Sequence, residues 1–255
     1  FKRGDRNVRG LIDVARNGYL WFLERTKAGP INFVDATNYV KQNVFRSIDP
    51  KTGRPDVDPA RKPGTGKKAE FCPSIWGGKN WPPISFNPQT RMIYIPANEN
   101  ICASIIGRDV SYKAGAAYVG ATTTTLPNPN ADHFGEVQAW NVDTGKRVWT
   151  HTYATSPNWG PMLATAGGLV FSGGTNDRRF HAFDAATGKL LWEYPTSSGI
   201  IGQPSTFMLD NRQYVAVQSG WGIDSRGMQA RLNTTFPGRY PEVPEGGAVW
   251  VFAVK

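Results

Sequence analysis

Two stretches of the sequence share one pattern, AWNVDTGKRVW (139–149) and AFDAATGKLLW (182–192). Both read A-x-[ND]-x-x-T-G-K-x-x-W, and their terminal tryptophans, Trp149 and Trp192, stand 43 residues apart. In each, strand-type residues precede a T-G-K corner, where glycine tolerates a positive φ, and a second strand then ends on tryptophan. A period of roughly 40–50 residues is typical of β-propeller blades, and an indole at a fixed place in each repeat can pack between neighbouring blades. The repeat therefore predicts a β-propeller.

Weaker relatives of the repeat surround this pair. They are GYLWFLERTKAG (18–29), SFNPQTRMIY (85–94), QPSTFMLDNRQYVAV (203–217), read as a hairpin that turns at Asp210-Asn211, and GAVWVFAV (247–254). Helical periodicity is not sustained over ten residues anywhere, so no long helix is expected. The stretches near 40–75 and 100–133 are expected to be long loops, the kind of segment on which sites and partner contacts sit.

Counted this way, the chain holds about four blades, fewer than a closed propeller usually needs. We therefore expect an all-β chain in which residues 1–255 form part of one larger propeller domain. The first residues, FKRGDRNVRG, read as the interior of a longer polypeptide rather than as a leader.

Composition limits the function classes. With 255 residues, 40% of them apolar, the chain can bury a sizeable core, and no apolar stretch approaches the roughly 18 residues of a membrane span.

The net charge is +9, but no nucleic-acid-binding module is found, so no nucleic-acid partner is expected. The densest basic stretch, DPARKPGTGKK (58–68), reads as a solvated loop, and an electrostatic role toward an acidic protein partner stays open.

The chain has two cysteines and three histidines. Cys72 and Cys102 are either two buried, inert thiols or a disulfide, which would imply an oxidising compartment. His133, His151 and His181 share no metal-ligand spacing and read as ordinary strand or loop residues.

Seven motifs occur in an order that resembles the pyrroloquinoline quinone (PQQ) dependent alcohol dehydrogenases of the methanol/ethanol dehydrogenase type. They are ARNGYLWFLER (15–25), FCPSIWGGKNWPP (71–83), IPANENIC (95–102), NWGPMLATAGGLVFSGG (158–174), SGIIGQPSTF (198–207), VQSGWG (217–222) and VWVFAVK (249–255). The resemblance runs from about Gly10 to Lys255. It implies an eight-bladed propeller with PQQ near the ring axis, bound to Ca²⁺ or a lanthanide, and an Asp as catalytic base.

Within these motifs the resemblance assigns four cofactor-binding residues. Arg16, in Arg-Asn-Gly, matches the basic residue that hydrogen-bonds the quinone oxygens, where a fixed cation stabilises developing negative charge. Asn80 matches an amide that contacts PQQ, and Trp159 and Trp221 match tryptophans on the cofactor side, whose N–H groups can only donate. The structural alternatives are a surface salt bridge for Arg16, a turn position for Asn80 and blade packing for Trp221.

The resemblance also implies that Cys72 and Cys102 form a disulfide, and hence that the protein resides in the periplasm. In the family the catalytic Asp, most metal ligands, the Trp beneath PQQ and a vicinal disulfide lie earlier in the chain. No catalytic residue and no metal ligand can therefore be assigned to this chain, which is expected to be the C-terminal part of such an enzyme and inactive alone.

The implied function is oxidation of an alcohol, with electrons passed to a cytochrome c. The implied partners are the N-terminal part of the same propeller, the alcohol and the cytochrome, and a homodimer is a further option. Two alternatives stay open at this point: a non-catalytic propeller scaffold with the same Trp-ended repeat, and a sugar-oxidising quinoprotein with the same cofactor.

Overall fold

A computed structural model describes residues 1–27, 29–116 and 119–253, and within these ranges the chain is folded almost entirely into short strands. The strands are β1 (Lys2–Arg3), β2 (Arg6–Asn7), β3 (Gly10–Val14), β4 (Tyr19–Glu24), β5 (Asn32–Asn38), β6 (Phe45–Ile48), β7 (Pro55–Val57), β8 (Lys68–Phe71), β9 (Ser85–Asn87), β10 (Met92–Asn98), β11 (Ile101–Gly107), β12 (Ala121–Pro127), β13 (Gly135–Asn141), β14 (Lys146–Tyr153), β15 (Leu163–Ala164), β16 (Leu169–Ser172), β17 (Arg179–Asp184), β18 (Leu190–Pro195), β19 (Ser205–Leu209), β20 (Arg212–Ser219) and β21 (Ala248–Ala253). One 3₁₀ turn, Pro59–Arg61, and one helix, α1 (Ile223–Thr235), interrupt them. The all-β prediction is confirmed. Ala28 and Val254, inside predicted repeat segments, lie outside the described residues.

The chain divides into two compact units. The first unit contains Phe1–Val8, Lys79–Asn98 and Asp132–Lys255, and the second contains Arg9–Gly78 and Glu99–Ala131. The prediction that residues 1–255 belong to one shared propeller domain stays a prediction.

Besides the hairpin β1–β2 and helix α1, the first unit contains three successive antiparallel sheets. Their strand orders are β14-β13-β10-β9, β15-β16-β17-β18 and β19-β20-β21. The hairpin β19–β20 turns where the sequence predicted, since Asp210 and Asn211 have φ values of 49° and 58°, the left-handed region that two-residue hairpin turns use.

The two copies of the repeat occupy equivalent positions in the first two sheets. Trp149 on β14 pairs with Ala139, and Trp192 on β18 pairs with Ala182, with a β-bulge directly after each alanine. Each indole then packs on the following sheet. Trp149 donates its Nε1–H to the Ala185 carbonyl at 3.1 Å, and Trp192 meets Phe252 edge-on, with ring centroids 5.1 Å apart. The predicted inter-blade role of both tryptophans is confirmed.

Apolar side chains fill the two spaces between these sheets. Tyr94, Val137 and Phe183 are completely buried between the first and second sheets. Phe180, Ile200 and Val215 are completely buried between the second and third sheets. Both spaces are thus filled mainly by residues that alternate along the strands, as expected for stacked propeller blades, and Ile200 joins the second cluster from the segment before β19.

The second unit corrects the expectation of long loops near 40–75 and 100–133. Besides the sheet β3-β4-β5, it contains the hairpin β6–β7 and the sheet β12-β11-β8, which are built from those two stretches. Apolar patterning did not predict these strands. Strand β12, ATTTTLP, is polar although its threonines are β-branched, and β7 and β8 are only three and four residues long.

Helix α1 corrects a second expectation, that the chain contains no long helix. Its buried positions follow helical spacing, but two of the four are polar; they are Ser225, Met228, Gln229 and Leu232. A search for apolar periodicity cannot detect such a face. In the described part of the chain, no helix combines the length and apolar content that crossing a membrane requires.

One ion pair fixes the N-terminal hairpin of the first unit. Asp143, in the turn of the first repeat, accepts hydrogen bonds from Nε and Nη2 of Arg91 at 2.9 and 2.8 Å and from the Lys2 backbone N–H at 2.7 Å. These donors hold the pKa of the Asp143 carboxyl well below its ordinary value, and the Arg91 hydrogen bonds contribute most.

A substitution at Gly188 would test the packing of Trp149, the tryptophan of the first repeat. Gly188 has a φ of 73°, and a Cβ there would lie 2.5 Å from the Trp149 ring. Gly168 also has a positive φ, 80°, but faces open space. We expect Gly168→Ala to destabilise the protein by about 1–2 kcal/mol through strain alone, and Gly188→Ala by about 1–3 kcal/mol more through overpacking, measured by denaturant unfolding. Equal losses would show that the Trp149 contact does not constrain the turn.

Asp143 gives a prediction for acid stability. Its pKa is depressed in the folded state, so its contribution is present at neutral pH and is lost as the pH falls below about 4. We expect Asp143→Asn to lower the unfolding free energy by about 1–2 kcal/mol at pH 7, with the difference shrinking between pH 4 and 2. Asp109→Asn, at an exposed carboxylate with no ion pair in the described chain, is the matched control and should change little at either pH.

Candidate functional site

Arg16 lies in the second unit, on the turn that joins β3 to β4. The turn closes through a hydrogen bond from the Gly18 N–H to the Ala15 carbonyl, with Gly18 at a φ of 91°. The Arg16 side chain is exposed, and its Nη2 donates to the backbone carbonyl of Ile75. Nε and Nη1 of Arg16 have no partner among the described residues, so most of the guanidinium fork remains available to a ligand.

The Arg16 turn is held by the segment that follows Cys72. Gly78 donates its N–H to the Arg16 carbonyl at 3.1 Å, and a Cβ on Gly77 would lie 2.7 Å from the Arg16 Cα. Cys72 is joined to Cys102 by a disulfide, as predicted, and no free cysteine is present. The disulfide ties the segment to β11 of the same unit, so the FCPSIWGG motif acts as a support for the Arg16 backbone.

Asn80 lies in the first unit, in a half-buried turn before β9. Its Oδ1 accepts from the Trp81 N–H at 2.9 Å, and its backbone carbonyl accepts from Lys79 Nζ at 2.7 Å. The side-chain Nδ2 has no hydrogen-bond partner among the described residues. Asn80 is therefore both a turn residue, which was the structural alternative, and a side chain with an unused amide donor.

Trp159 is buried in the first unit, with 1% of its surface exposed. It stands in a segment held directly against the SGG motif. The Trp159 N–H donates to the Gly174 carbonyl at 2.9 Å, and a Cβ on Gly160 would lie 2.0 Å from the Gly173 oxygen. The two backbones touch, which requires glycine at these positions. The indole Nε1–H of Trp159 donates to Sδ of Met228 at 3.2 Å.

Trp221 precedes helix α1 and is also buried. Its ring covers Gly199, where a Cβ would lie 1.9 Å from the indole. The Trp221 Nε1–H donates to Oε1 of Gln229 at 3.0 Å, and Gln229 Nε2 in turn donates to the Pro241 carbonyl. Both tryptophans that the sequence singled out therefore donate to adjacent residues of one helix.

These contacts revise one argument made from the sequence. The indole N–H groups of Trp159 and Trp221 were expected to suit an anionic quinone, but both are used inside the protein. Contact with PQQ through the indole rings stays a prediction for both residues. Sequence reasoning missed Met228 and Gln229, and only their position directly after the GWG motif could have indicated them.

The donor set offers a partial fit to PQQ, an anionic, acceptor-rich ligand. Arg16 and Asn80 keep donors that no described group uses, whereas Trp159 and Trp221 do not. Because Arg16 and Asn80 belong to different units, their convergence on one cofactor stays a prediction. Within the described residues no group of three or more His, Cys, Asp or Glu is arranged to hold a metal ion.

Comparison with known proteins identifies the class. The family described as "Glucose/ethanol/alcohol dehydrogenase, beta-propeller domain" matches residues 152–215. The chain is 35% identical over 99% of its length to the quinoprotein alcohol dehydrogenase PedH of Pseudomonas putida, and 38% identical over 86% to a lanthanide-dependent methanol dehydrogenase of Methylacidiphilum fumariolicum. A europium-containing methanol dehydrogenase superposes on the entire chain with a TM-score of 0.87 at 34% identity.

Over nearly its whole length, the chain is thus a relative of the PQQ-dependent alcohol dehydrogenases, and the resemblance found in its motifs is confirmed. The chain spans only 42% of PedH, 36% of the lanthanide-dependent enzyme and 46% of the europium-containing structure. What it resembles is a part of their β-propeller.

The contact between Trp221 and Gln229 gives a testable prediction. Gln229→Leu replaces the amide by an apolar side chain and leaves the buried Trp221 N–H and the Pro241 carbonyl without this partner, so we expect a loss of about 2–4 kcal/mol in unfolding free energy. In a Trp221→Phe background, where one orphaned donor is absent, the same change should cost about 1 kcal/mol less. A double-mutant cycle measured by urea unfolding checks this, and strict additivity would contradict the hydrogen bond.

Proposed function

We propose that this chain is part of a periplasmic, PQQ-dependent dehydrogenase that oxidises an alcohol to an aldehyde or ketone and passes the electrons to a cytochrome c. The observation that carries the proposal is the similarity to quinoprotein alcohol dehydrogenases along practically the whole chain, at 34–38% identity. The disulfide between Cys72 and Cys102 supports an oxidising compartment, because such bonds rarely persist in the cytosol.

The proposed cofactors are PQQ and a Ca²⁺ or lanthanide ion. One of the relatives is named as lanthanide-dependent and one solved structure as europium-containing. When bound, PQQ would supply the two-electron acceptor for the alcohol. In the described part of this chain no cluster of metal ligands is found. The family resemblance implies that the N-terminal part of the propeller would supply most ligands of the ion.

The chain's own contribution would be binding and electrostatics. Arg16 would direct Nε and Nη1 at acceptor oxygens of the cofactor, held in place by Gly77, Gly78 and the Ile75 carbonyl. Asn80 would donate through Nδ2 without adding charge. Trp159 and Trp221 would present ring surface rather than N–H groups. No residue of this chain is assigned as the catalytic base, so the segment alone should lack activity.

The two alternatives are less well supported. A non-catalytic scaffold gives no reason for the unused donors of Arg16 and Asn80. A sugar-oxidising quinoprotein shares the cofactor, but the relatives that match along this chain are named as alcohol, ethanol, methanol and butanol dehydrogenases.

Arg16 provides the test in the full-length enzyme. We expect Arg16→Ala to lower kcat about 10–100-fold while weakening PQQ retention less, because other groups also hold the cofactor. A fixed guanidinium stabilises charge that develops on acceptor oxygens more in the transition state than in the ground state. Arg16→Lys should be milder, since it keeps the charge and loses the planar fork. The measurements are PQQ occupancy by absorbance and turnover with an artificial acceptor.

Arg25→Ala is the matched control, because Arg25 is an exposed arginine at the end of the same β-hairpin and has no side-chain partner in the described chain. It should retain wild-type kcat. Wild-type turnover of Arg16→Ala at full occupancy would show that Arg16 has a structural role only.

A further inference from the structure

The third sheet of the first unit contains one connection that is far longer than its strands require. In the second sheet, β16 is joined to β17 by residues 173–178 alone. The equivalent connection in the third sheet, from β20 to β21, runs over residues 220–247 and contains helix α1. Because a short connection is enough to join two neighbouring antiparallel strands, the role of the additional residues lies in what they contact.

Helix α1 contacts both tryptophans of the proposed cofactor site. Trp159 precedes β15, the first strand of the second sheet, and Trp221 follows β20 in the third sheet. The Nε1–H of Trp159 donates to Sδ of Met228 at 3.2 Å, and that of Trp221 donates to Oε1 of Gln229 at 3.0 Å. The two acceptors are buried and adjacent in sequence, so a single turn of one helix receives both indoles.

The remainder of the long connection attaches the helix to the first and third sheets. Phe236, at the C-terminal end of α1, packs on Phe134, the residue before β13, with ring centroids 6.2 Å apart. Tyr240 packs on the same Phe134 ring at 6.0 Å. On the other side, Ser198, in the segment before β19, donates its hydroxyl hydrogen to the Pro244 carbonyl. Packing and hydrogen bonds at these points give the two acceptors fixed positions.

The hydrogen bonds to the helix determine how the indoles are oriented. An indole N–H can only donate, so the position of its acceptor defines the direction in which Nε1 points. Glycine at position 199 lets the Trp221 ring approach the backbone, since a Cβ there would lie 1.9 Å from the indole. Close approach leaves the rotation of the ring open, and the hydrogen bond to Gln229 then selects one orientation.

We propose that helix α1 is a positioning element of the proposed cofactor site. Its two acceptors fix the orientation of the Trp159 and Trp221 rings, so that both present fixed faces to PQQ. Met228 and Gln229 are thus positioning residues, which act through the indoles and do not touch the cofactor. Contact between aromatic rings depends on their geometry, so a ring that can rotate holds a planar ligand less well. This inference rests on the proposed function, because it concerns the cofactor site of that same enzyme.

The test uses the full-length enzyme, labelled with fluorotryptophan, in its cofactor-free and PQQ-loaded forms. The fluorine NMR resonances of the two indoles are assigned from Trp159→Phe and Trp221→Phe. Met228→Leu keeps a side chain of similar size but removes the sulfur acceptor. The Trp159 resonance of the cofactor-free enzyme should therefore shift, and the Kd for PQQ, measured with the metal ion in excess, should rise at least about fivefold.

Gln229→Leu and Gln229→Met form a matched pair. Both lose the amide donor to the Pro241 carbonyl, but methionine keeps a sulfur acceptor for an indole, as Met228 does. Gln229→Leu should shift the Trp221 resonance and raise the Kd for PQQ at least about fivefold, and Gln229→Met should recover most of both effects. The control is Leu232→Met, the reverse exchange at a buried position of the same helix, which should change the Kd less than about twofold.

Phe236→Leu tests whether the helix acts as one element. It weakens the packing on Phe134 and leaves both acceptors in the sequence, so the two tryptophan resonances should shift together. A shift of only one resonance, or of neither, would show that the two indoles are held independently of the helix position and would overturn the proposal.

Two further results would overturn the proposal. An unchanged Kd for PQQ in variants whose resonances have shifted would show that the ring orientations do not serve the cofactor. Equal effects of Gln229→Leu and Gln229→Met would show that the lost bond to Pro241, and not the indole acceptor, is responsible. If the wild-type enzyme binds no PQQ, the proposed function fails instead, and the resonances of the cofactor-free enzyme still decide whether α1 orients the two rings.

Discussion

The first unit depends on one interaction, the packing of the Trp149 indole on the next sheet. Trp149 reaches past its own strand to the Ala185 carbonyl, and its ring lies where a side chain at Gly188 would have to be. A sheet that is apolar on both faces cannot be stable alone, so each sheet is completed only by its successor. The tryptophan provides a large apolar surface and one directional hydrogen bond, and together these fix the position of neighbouring sheets.

Helix α1 stabilises the first unit in a different way, because it buries side-chain atoms that accept hydrogen bonds. Met228 and Gln229 accept the N–H groups of Trp159 and Trp221, and Gln229 also donates to the Pro241 carbonyl. A buried indole N–H without an acceptor costs free energy, so a predominantly apolar helix could not replace this one. The helix thus holds two motifs, NWG and GWG, that the strands alone would leave incompletely satisfied.

The sequence predicted the features that repeat or that demand glycine. The tryptophan spacing predicted the sheets and the equivalent positions of Trp149 and Trp192, Asp210-Asn211 predicted a turn, and the family resemblance implied the disulfide. The sequence did not predict the elements whose stabilising contacts follow no periodic pattern. Strand β12 is held by β-branched threonines without an apolar stripe, and α1 buries polar groups whose partners are distant in sequence. The free donors of Arg16 and Asn80 likewise depend on which backbone groups lie near, and residue spacing does not encode this.

The order in which the two units use the chain bears on how the protein is made. The second unit contains no residue later than Ala131, so all of its strands, including those that carry Cys72 and Cys102, precede β13 to β21 in the chain and are synthesised first. The first unit must wait, because Phe1–Val8 and Lys79–Asn98 pack with sheets that are built only after Asp132. During that interval β10 has its hairpin partner β9 but lacks β13. The unpaired edge is a site for aggregation or chaperone binding until the later strand arrives.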